Sequence, residues 1–267
     1  MTRTREAENP FRALGWKYNL PNPNETPSKT PNAKTLTKHP RHMDNIYMEL
    51  SRETSANREA GILLTISGLV ILVVYLAITI TLVDFNRIET SLILAGVLVF
   101  SCTVCLFYYF WRIDTETPVD EPIRFNRKRR KVYAYNFRPN GKKFYCRKGW
   151  GATPVVYDWD NLRAEFYSVY GPMGTGGLVE NIYLAVVEPG TGKIIDRFFF
   201  AHGQSQGEMY WALAQIYMQQ GPEALSDFGN ASEAWARMYA VENLSRRIGP
   251  KVQWPHAMDV ESKTAPS

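Results

Sequence analysis

Two uncharged apolar runs, residues 61–83 and 91–111, stand seven residues apart, and this pairing constrains the chain more than any other feature. The runs of 23 and 21 residues reach roughly 34 and 32 Å as helices, enough to cross a hydrocarbon core of about 30 Å. Each run predicts one membrane span. The connector Asp84-Phe85-Asn86-Arg87-Ile88-Glu89-Thr90 is too short to hold a domain, so both long flanks are expected on the same side.

The cations indicate which side that is. Arg87 is alone in the connector, whereas Arg52 and Arg58 precede the first run, and Arg112, Arg124 and Arg127-Lys128-Arg129-Arg130-Lys131 follow the second. Translocation disfavours Lys and Arg near span ends, so both termini are expected in the cytoplasm, as in a multi-pass protein of a bacterial inner membrane. The first run begins too far into the chain, and is too long, for a cleaved signal peptide. Cys102, Cys105 and Cys146 fit a reducing compartment and imply no disulfide framework. Cys102 and Cys105 match a C-x-x-C pattern but lie within the second span, where packing or lipid-facing roles suit them better.

The remaining chain divides by composition. Residues 1–43 contain six of the sixteen prolines and little apolar periodicity, which predicts a disordered tail. Within it Phe11, Leu14 and Trp16 form a short apolar cluster, either a partner-docking motif or a segment resting on its own domain or on the membrane. Residues 43–59 are compatible with a helix leading into the first span, so 44–111 is read as the membrane hairpin. Residues 112–250 predict a cytoplasmic α+β domain, and 251–267 a second disordered tail. Strands are expected at 123–126, 132–137, 143–147, 155–170 with a break, 181–187 and 193–201. Pro139-Asn140-Gly141-Lys142 and Pro189-Gly190-Thr191-Gly192 supply tight turns that force antiparallel pairing. Helices follow, one from Ser205 to about residue 220 and another from Ser232. The expected fold is an α+β membrane protein, a transmembrane helical hairpin followed by an antiparallel sheet or open barrel closed by C-terminal helices. That order is pleckstrin-homology-like in architecture alone.

The sharpest chemical motif is Gly203-Gln204-Ser205-Gln206-Gly207, a G-x-S-x-G pattern between a predicted strand and a predicted helix. Asp227 and His256 follow in the order of an α/β-hydrolase triad. Hairpin-linked strands cannot supply the parallel sheet that such an elbow needs, and His256 lies in the predicted tail. Ser205 and Glu208 instead match S-x-x-E, a capping box. A non-enzymatic protein is therefore expected, with a serine hydrolase through Ser205 as the alternative.

Gly171 to Gly177 is glycine-rich but lacks the Lys-Ser/Thr of a phosphate-binding loop, and reads as a strand connection. The block Arg127, Lys128, Arg129, Arg130 and Lys131 is expected near the membrane, as a solvated turn or as a contact to anionic lipid headgroups. It has neither a recognition helix nor an aromatic platform, which argues against nucleic acid. Asp158 and Asp160 alternate with Tyr157 and Trp159 as in a half-buried strand. The histidines are scattered, and neither a metal nor a cofactor is expected.

Pro122-Ile123-Arg124-Phe125-Asn126-Arg127, Lys131-Val132-Tyr133, Tyr157-Asp158-Trp159 and the stretch from Trp211 to Gly221-Pro222 together resemble an uncharacterised bacterial family of two-span membrane proteins. Its genes often stand beside those for type VI secretion effectors and spike proteins. The resemblance covers roughly residues 43–228 and brings no catalytic residues. It implies an inner-membrane protein that binds a protein partner, an immunity or accessory protein for a secreted effector. A sensor or scaffold acting through Phe11 to Trp16 is a further expectation.

Overall fold

A computed structural model of the chain describes residues 14–37, 39–52, 58–82, 90–118, 120–138, 151–171, 177–228 and 250–266. Side chains at a two-residue period build the core. Met48 and Leu50 point inward from β3 (Tyr47–Arg52), Ile123 and Phe125 from β4 (Glu121–Asn126), and Val132 and Ala134 from β5 (Lys131–Arg138). With β2 (His42–Met43) and β6 (Gly151–Asp158) they form a five-stranded antiparallel sheet in the order β2-β3-β4-β5-β6. A second antiparallel sheet has the order β1-β7-β8-β9, from β1 (Trp16–Asn19), β7 (Leu162–Tyr170), β8 (Leu178–Val187) and β9 (Ile194–His202). The β8–β9 turn uses Gly190 and Gly192 at φ 80° and 68°, the left-handed region that glycine enters without strain.

Helix α3 (Gln204–Gln220) adds Trp211, Leu213, Ala214 and Tyr217 to the core that both sheets share. Trp159 lies in the 3-10 turn Trp159–Asn161, fully buried, with its ring centroid 5.1 Å from Trp211 and 5.9 Å from Phe125. This turn interrupts the strand run at the expected break and carries the chain from one sheet to the other. Trp159 is buried and Asp158 and Asp160 are exposed, but the alternation ends with the strand at Asp158.

The fold is α+β and antiparallel, as expected, but the barrel is not. The two sheets stay open. Side chains rather than ladder hydrogen bonds join β6 to β9: the Tyr157 hydroxyl donates to Asp196 Oδ2 at 2.5 Å, and the Tyr157 and Phe198 rings stack 5.4 Å apart.

Both expected tails are ordered where they are described. Leu20 and Leu36 reach the core. The carbonyls of Pro21, Asn22 and Pro23 accept from Trp211 Nε1 at 2.9 Å, Gln215 Nε2 at 2.6 Å and Gln219 Nε2 at 3.0 Å. Composition predicts disorder because the segment is poor in apolar residues; donors on α3 satisfy its carbonyls instead. In the C-terminal segment, α4 (His256–Lys263) docks on β4 and β5. The expected helical lead into the first span is likewise replaced, over residues 47–52, by β3.

Helices α1 (Arg58–Leu82) and α2 (Thr90–Glu116) fall between β3 and β4, which are hydrogen-bonded neighbours in the register Ser51↔Pro122 and Arg52↔Glu121. The helical pair is therefore inserted into a β-hairpin, and residues 14–52 belong to the same folded unit as residues 120–228. Thr65 Oγ1 donates to the Phe107 carbonyl at 3.4 Å, and the Phe107 ring packs against Gly68, where a Cβ would overlap it. Within α2, Gly96–Ile113 has mean hydropathy 1.6 and is, among the described residues, the one helix long and apolar enough to cross a membrane; α1 holds a shorter apolar stretch, Thr65–Tyr75. Leu98 and Val99 on α2 are 66% and 65% exposed, and Ile71 and Val73 on α1 are 68% and 65% exposed. Cys102 and Cys105 are free thiols on the exposed surface of α2. The connector 84–89, the turn 139–142, the strand expected at 143–147, Cys146, the helix expected from Ser232, and Phe11 lie outside the described residues.

Candidate functional site at the root of the helical hairpin

Because β3 and β4 pair, the chain leaves the sheet after Arg52 and returns at Glu121, on neighbouring strands about 4.8 Å apart. Four charged side chains gather at this root. The Arg52 guanidinium is 3% exposed and donates to four acceptors: the Glu121 carbonyl at 3.0 Å, the Phe199 carbonyl at 2.6 Å, the Tyr135 carbonyl at 3.2 Å and Asn136 Oδ1 at 2.9 Å. Phe199 lies on β9 of one sheet, while Glu121 and Tyr135 lie on β4 and β5 of the other. One side chain thus ties the two sheets together where the helices depart. Only the forked, planar guanidinium can serve so many directions at once.

Asp120 stands beside it, accepting from the Ser51 hydroxyl at 2.6 Å and pairing with Arg41 at 2.5 Å. Burial pushes the Asp120 carboxyl above its usual range, against the pull of Arg41 and the Ser51 hydrogen bond. Burial also draws Arg52 down from the ordinary guanidinium value, with Glu121 and Asp120 opposing it. Glu121 accepts the Phe137 backbone N–H at 3.1 Å and lies 4.0 Å from Arg52. On the helix side, Arg112 is 3% exposed and pairs with Glu116 at 3.0 Å. The two cations and two anions on the sheet side balance in charge. Their chemistry is positional: they tie β3, β4, β5 and β9 together beside the point where the chain departs for the helices.

A cavity of about 360 Å³ adjoins this root, between β3, β9 and the first turn of α3. Leu50, Arg52, Phe200, His202, Gln206 and Tyr210 are among its lining residues. Gln206 and Tyr210 are already engaged there, with Thr37.

The triad residues are not brought together. Ser205 is exposed in the first turn of α3, Asp227 lies in the 3-10 segment Pro222–Phe228 beyond the far end of that helix, and His256 opens α4. Fifteen helical residues, 206–220, follow Ser205 before the 3-10 segment begins, about 22 Å of helix. The capping box is also absent. Gly203 is the N-cap, with no side-chain cap, and Glu208 is drawn elsewhere: it accepts from the Tyr18 hydroxyl at 2.5 Å and pairs with Lys29 at 2.7 Å. Burial opposes ionisation of Glu208, but Lys29, Tyr18 and Gln204 outweigh it and hold the carboxyl below its usual range. Burial and the same carboxylate push Tyr18 up to about 12.

The basic block is expected near the membrane from its short distance along the chain to the second apolar run. It forms the β4–β5 turn, at the opposite end of β4 from the point where α2 enters. Five strand steps carry it roughly 17 Å away. Most of the block is engaged internally. Arg130 pairs with Asp160 and donates to Asn24 Oδ1 at 2.7 Å, Arg129 Nε donates to the Thr264 carbonyl at 2.9 Å, and Lys131 pairs with Glu261 at 2.9 Å. The Arg127 backbone N–H donates to the Ile46 carbonyl at 2.9 Å, and Lys128 is exposed. At the N-terminal docking motif, Trp16 is half-buried in β1, paired with Tyr167, and Leu14 is 95% exposed. Among the described residues, no cluster of His, Cys, Asp and Glu could hold a metal ion.

The root network is not legible in the sequence, where Arg52 reads only as a cation flanking the first apolar run and Asp120 and Glu121 carry no motif. The signal available was an Arg ending one apolar-alternating segment and an Asp-Glu pair opening the next, on either side of the helices.

No curated protein and no solved structure matches the chain. A family model does match, over residues 100–243, just over half of the sequence, from within α2 to beyond α3. The chain belongs to that family, the family of unknown function DUF6708.

Proposed function

We propose that this protein is a non-enzymatic interaction module anchored in a membrane by a two-span hairpin, whose α+β domain binds a protein partner. The observation that carries the reading is the insertion of α1 and α2, with exposed apolar surfaces, between two paired strands. An anchor built this way enters and leaves the lipid at one face of the domain, which keeps both flanks on one side. The cations Arg58 and Arg112 at the root, against Arg87 in the connector, favour the cytoplasmic side of a bacterial inner membrane. The resemblance of the motifs in β4, β5 and α3 to proteins encoded beside type VI secretion effectors favours an effector as the partner, bound by an immunity or accessory protein.

Topology is tested by replacing Cys102, Cys105 and Cys146 and placing single cysteines at Asn86 or Lys128. An impermeant maleimide added to intact cells should label Asn86→Cys and spare Lys128→Cys. Labelling of both or neither, or release of the chain by alkaline extraction, overturns the anchor. Co-expression with the product of an adjacent effector gene should protect the cells and copurify the two proteins. Loss of both results ends the partner reading.

A further inference from the structure

The tip of β4 carries a surface that the chain's own end occupies. We propose that the β4–β5 face is a docking site for an acidic helical segment of a partner protein, and that residues 250–266 are its resident, replaceable ligand. This inference rests on the partner-binding reading above and names the surface involved.

The receptor side is preformed. Arg124 and Asn126 are 6% and 0% exposed and project from a central strand; Arg124 Nε donates to Glu49 on β3 at 2.6 Å, which fixes the guanidinium, and its Nη1 and the Asn126 amide meet the docked segment. Arg124 donates to Asp259 at 2.6 Å and to the Ser262 hydroxyl at 2.9 Å; its guanidinium carbon lies 4.6 Å from the centre of the Trp254 ring. The Asn126 amide donates to the carbonyls of Ser262 and Thr264, each at 3.0 Å, and so satisfies the C-terminal turn of α4. Lys131 pairs with Glu261 at 2.9 Å. If the segment left, Arg124 would keep Glu49, but its Nη1 and the buried Asn126 amide would lose the acceptors described here, so the face selects another acceptor-rich helix end.

The ligand side is held loosely. Eight residues form α4, too few for a helix to persist without its docking contacts. Ser262 is its only buried residue, and Val260 is 47% exposed. The contact is therefore mainly charge and hydrogen bonding, with the Trp254 ring set against Arg124 and, 5.4 Å away, Tyr135 on β5. A tether supplies an effective concentration in the millimolar range, which keeps a weak ligand in place and lets a stronger one replace it. The segment's chemistry defines the partner's: a Trp, then carboxylates five and seven residues on, ending in a helical turn with carbonyls free to accept from Asn126.

The test uses the full chain in detergent and a fluorescent peptide of residues 250–266, read by anisotropy. Asp259→Lys with Glu261→Lys in the chain weakens the resident segment, and the added peptide should then bind about tenfold more tightly than to the wild type, where the tether competes. Adding Lys131→Glu on the half-exposed receptor side should abolish the gain, and a peptide bearing both lysines should not bind. The proposal is overturned if the double variant binds no better than wild type, or if binding survives Lys131→Glu. It is also overturned if wild-type chains pair by exchanging this segment, seen as a mass doubling that Lys131→Glu removes, since the occupant is then a second copy. Detergent solutions make these readouts independent of topology, so failure of the anchor leaves them standing.

Discussion

The two ends of β4 use the same chemistry in opposite surroundings. At the root, Arg52 is enclosed among Asp120, Glu121 and three backbone carbonyls. At the tip, Lys131 and Asp259 meet their partners with side chains 37% and 34% exposed. Water reaches the pairs at the rim of the tip, such as Lys131 with Glu261, while Arg124 and Asn126 beneath them are as buried as Arg52 is at the root. Buried ions are costly to strand, whereas exposed pairs exchange with little loss. The root therefore acts as a fixed joint between the two sheets, and the rim of the tip as a reversible contact.

Arg52→Ala breaks this comparison hardest. It leaves Glu121 and Asp120 buried with less compensating charge and frees the Phe199 carbonyl that links the sheets, so a loss of about 3–5 kcal/mol is expected in denaturant midpoints measured in detergent. Arg52→Lys should recover little, because an ammonium cannot reproduce the fork. A loss below that of the exposed pairs would remove the distinction between joint and contact. Asp120→Asn comes next. It keeps the shape and the Ser51 bond but removes the partner of Arg41, which is 30% exposed and can turn to water, so about 1–3 kcal/mol is expected.

The uneven legibility of the sequence has the same physical origin. The strands from β4 to β9 and helix α3 were readable because each carries its own apolar period and is bounded by turn residues. β1 was not, because Trp16 pairs with Tyr167 across most of the chain, and no local period announces such a pairing. β3 was hidden by its position before an apolar helix, although Met48 and Leu50 show the strand period once the pairing is known. α4 is amphipathic in charge rather than in apolarity, and the partners of Asp259 and Glu261 lie more than a hundred residues upstream. The place of the basic turn, at the end of β4 far from the root, follows from the length of the strand and not from the number of residues after the second apolar run.

Acid should separate the two ends. Hydrogen bonds from Lys263 and Arg124 outweigh burial at Asp259, and the bond from Lys131 leads at Glu261, so both carboxyls titrate below their ordinary values of 3.8 and 4.5. Stability from a depressed carboxylate is present above the unfolded value and is lost as pH falls through the folded one. Docking of α4 should therefore weaken as pH drops below about 4.5. Asp120 has the opposite sign: burial raises its folded value, so protonation favours the folded root and acid does not undo it. Fluorine NMR of a fluorotryptophan at Trp254 should report release while a label at Trp159 is unchanged. Simultaneous loss of both signals would mean that the tip is not independent of the core.

The smallest effect belongs to Lys131→Ala. Its pair with Glu261 is exposed on both sides, at 37% and 35%, so global stability should fall by no more than about 1 kcal/mol. The loss should shrink further in salt, because screening acts on solvent-facing charges. Proteolysis within residues 250–266 should nevertheless accelerate in this variant, since an eight-residue helix without its anchors frays. A large loss of global stability would show instead that the C-terminal segment is part of the core's support. The contrast between the two ends of β4 would then lie in solvent exposure alone and not in mechanical role.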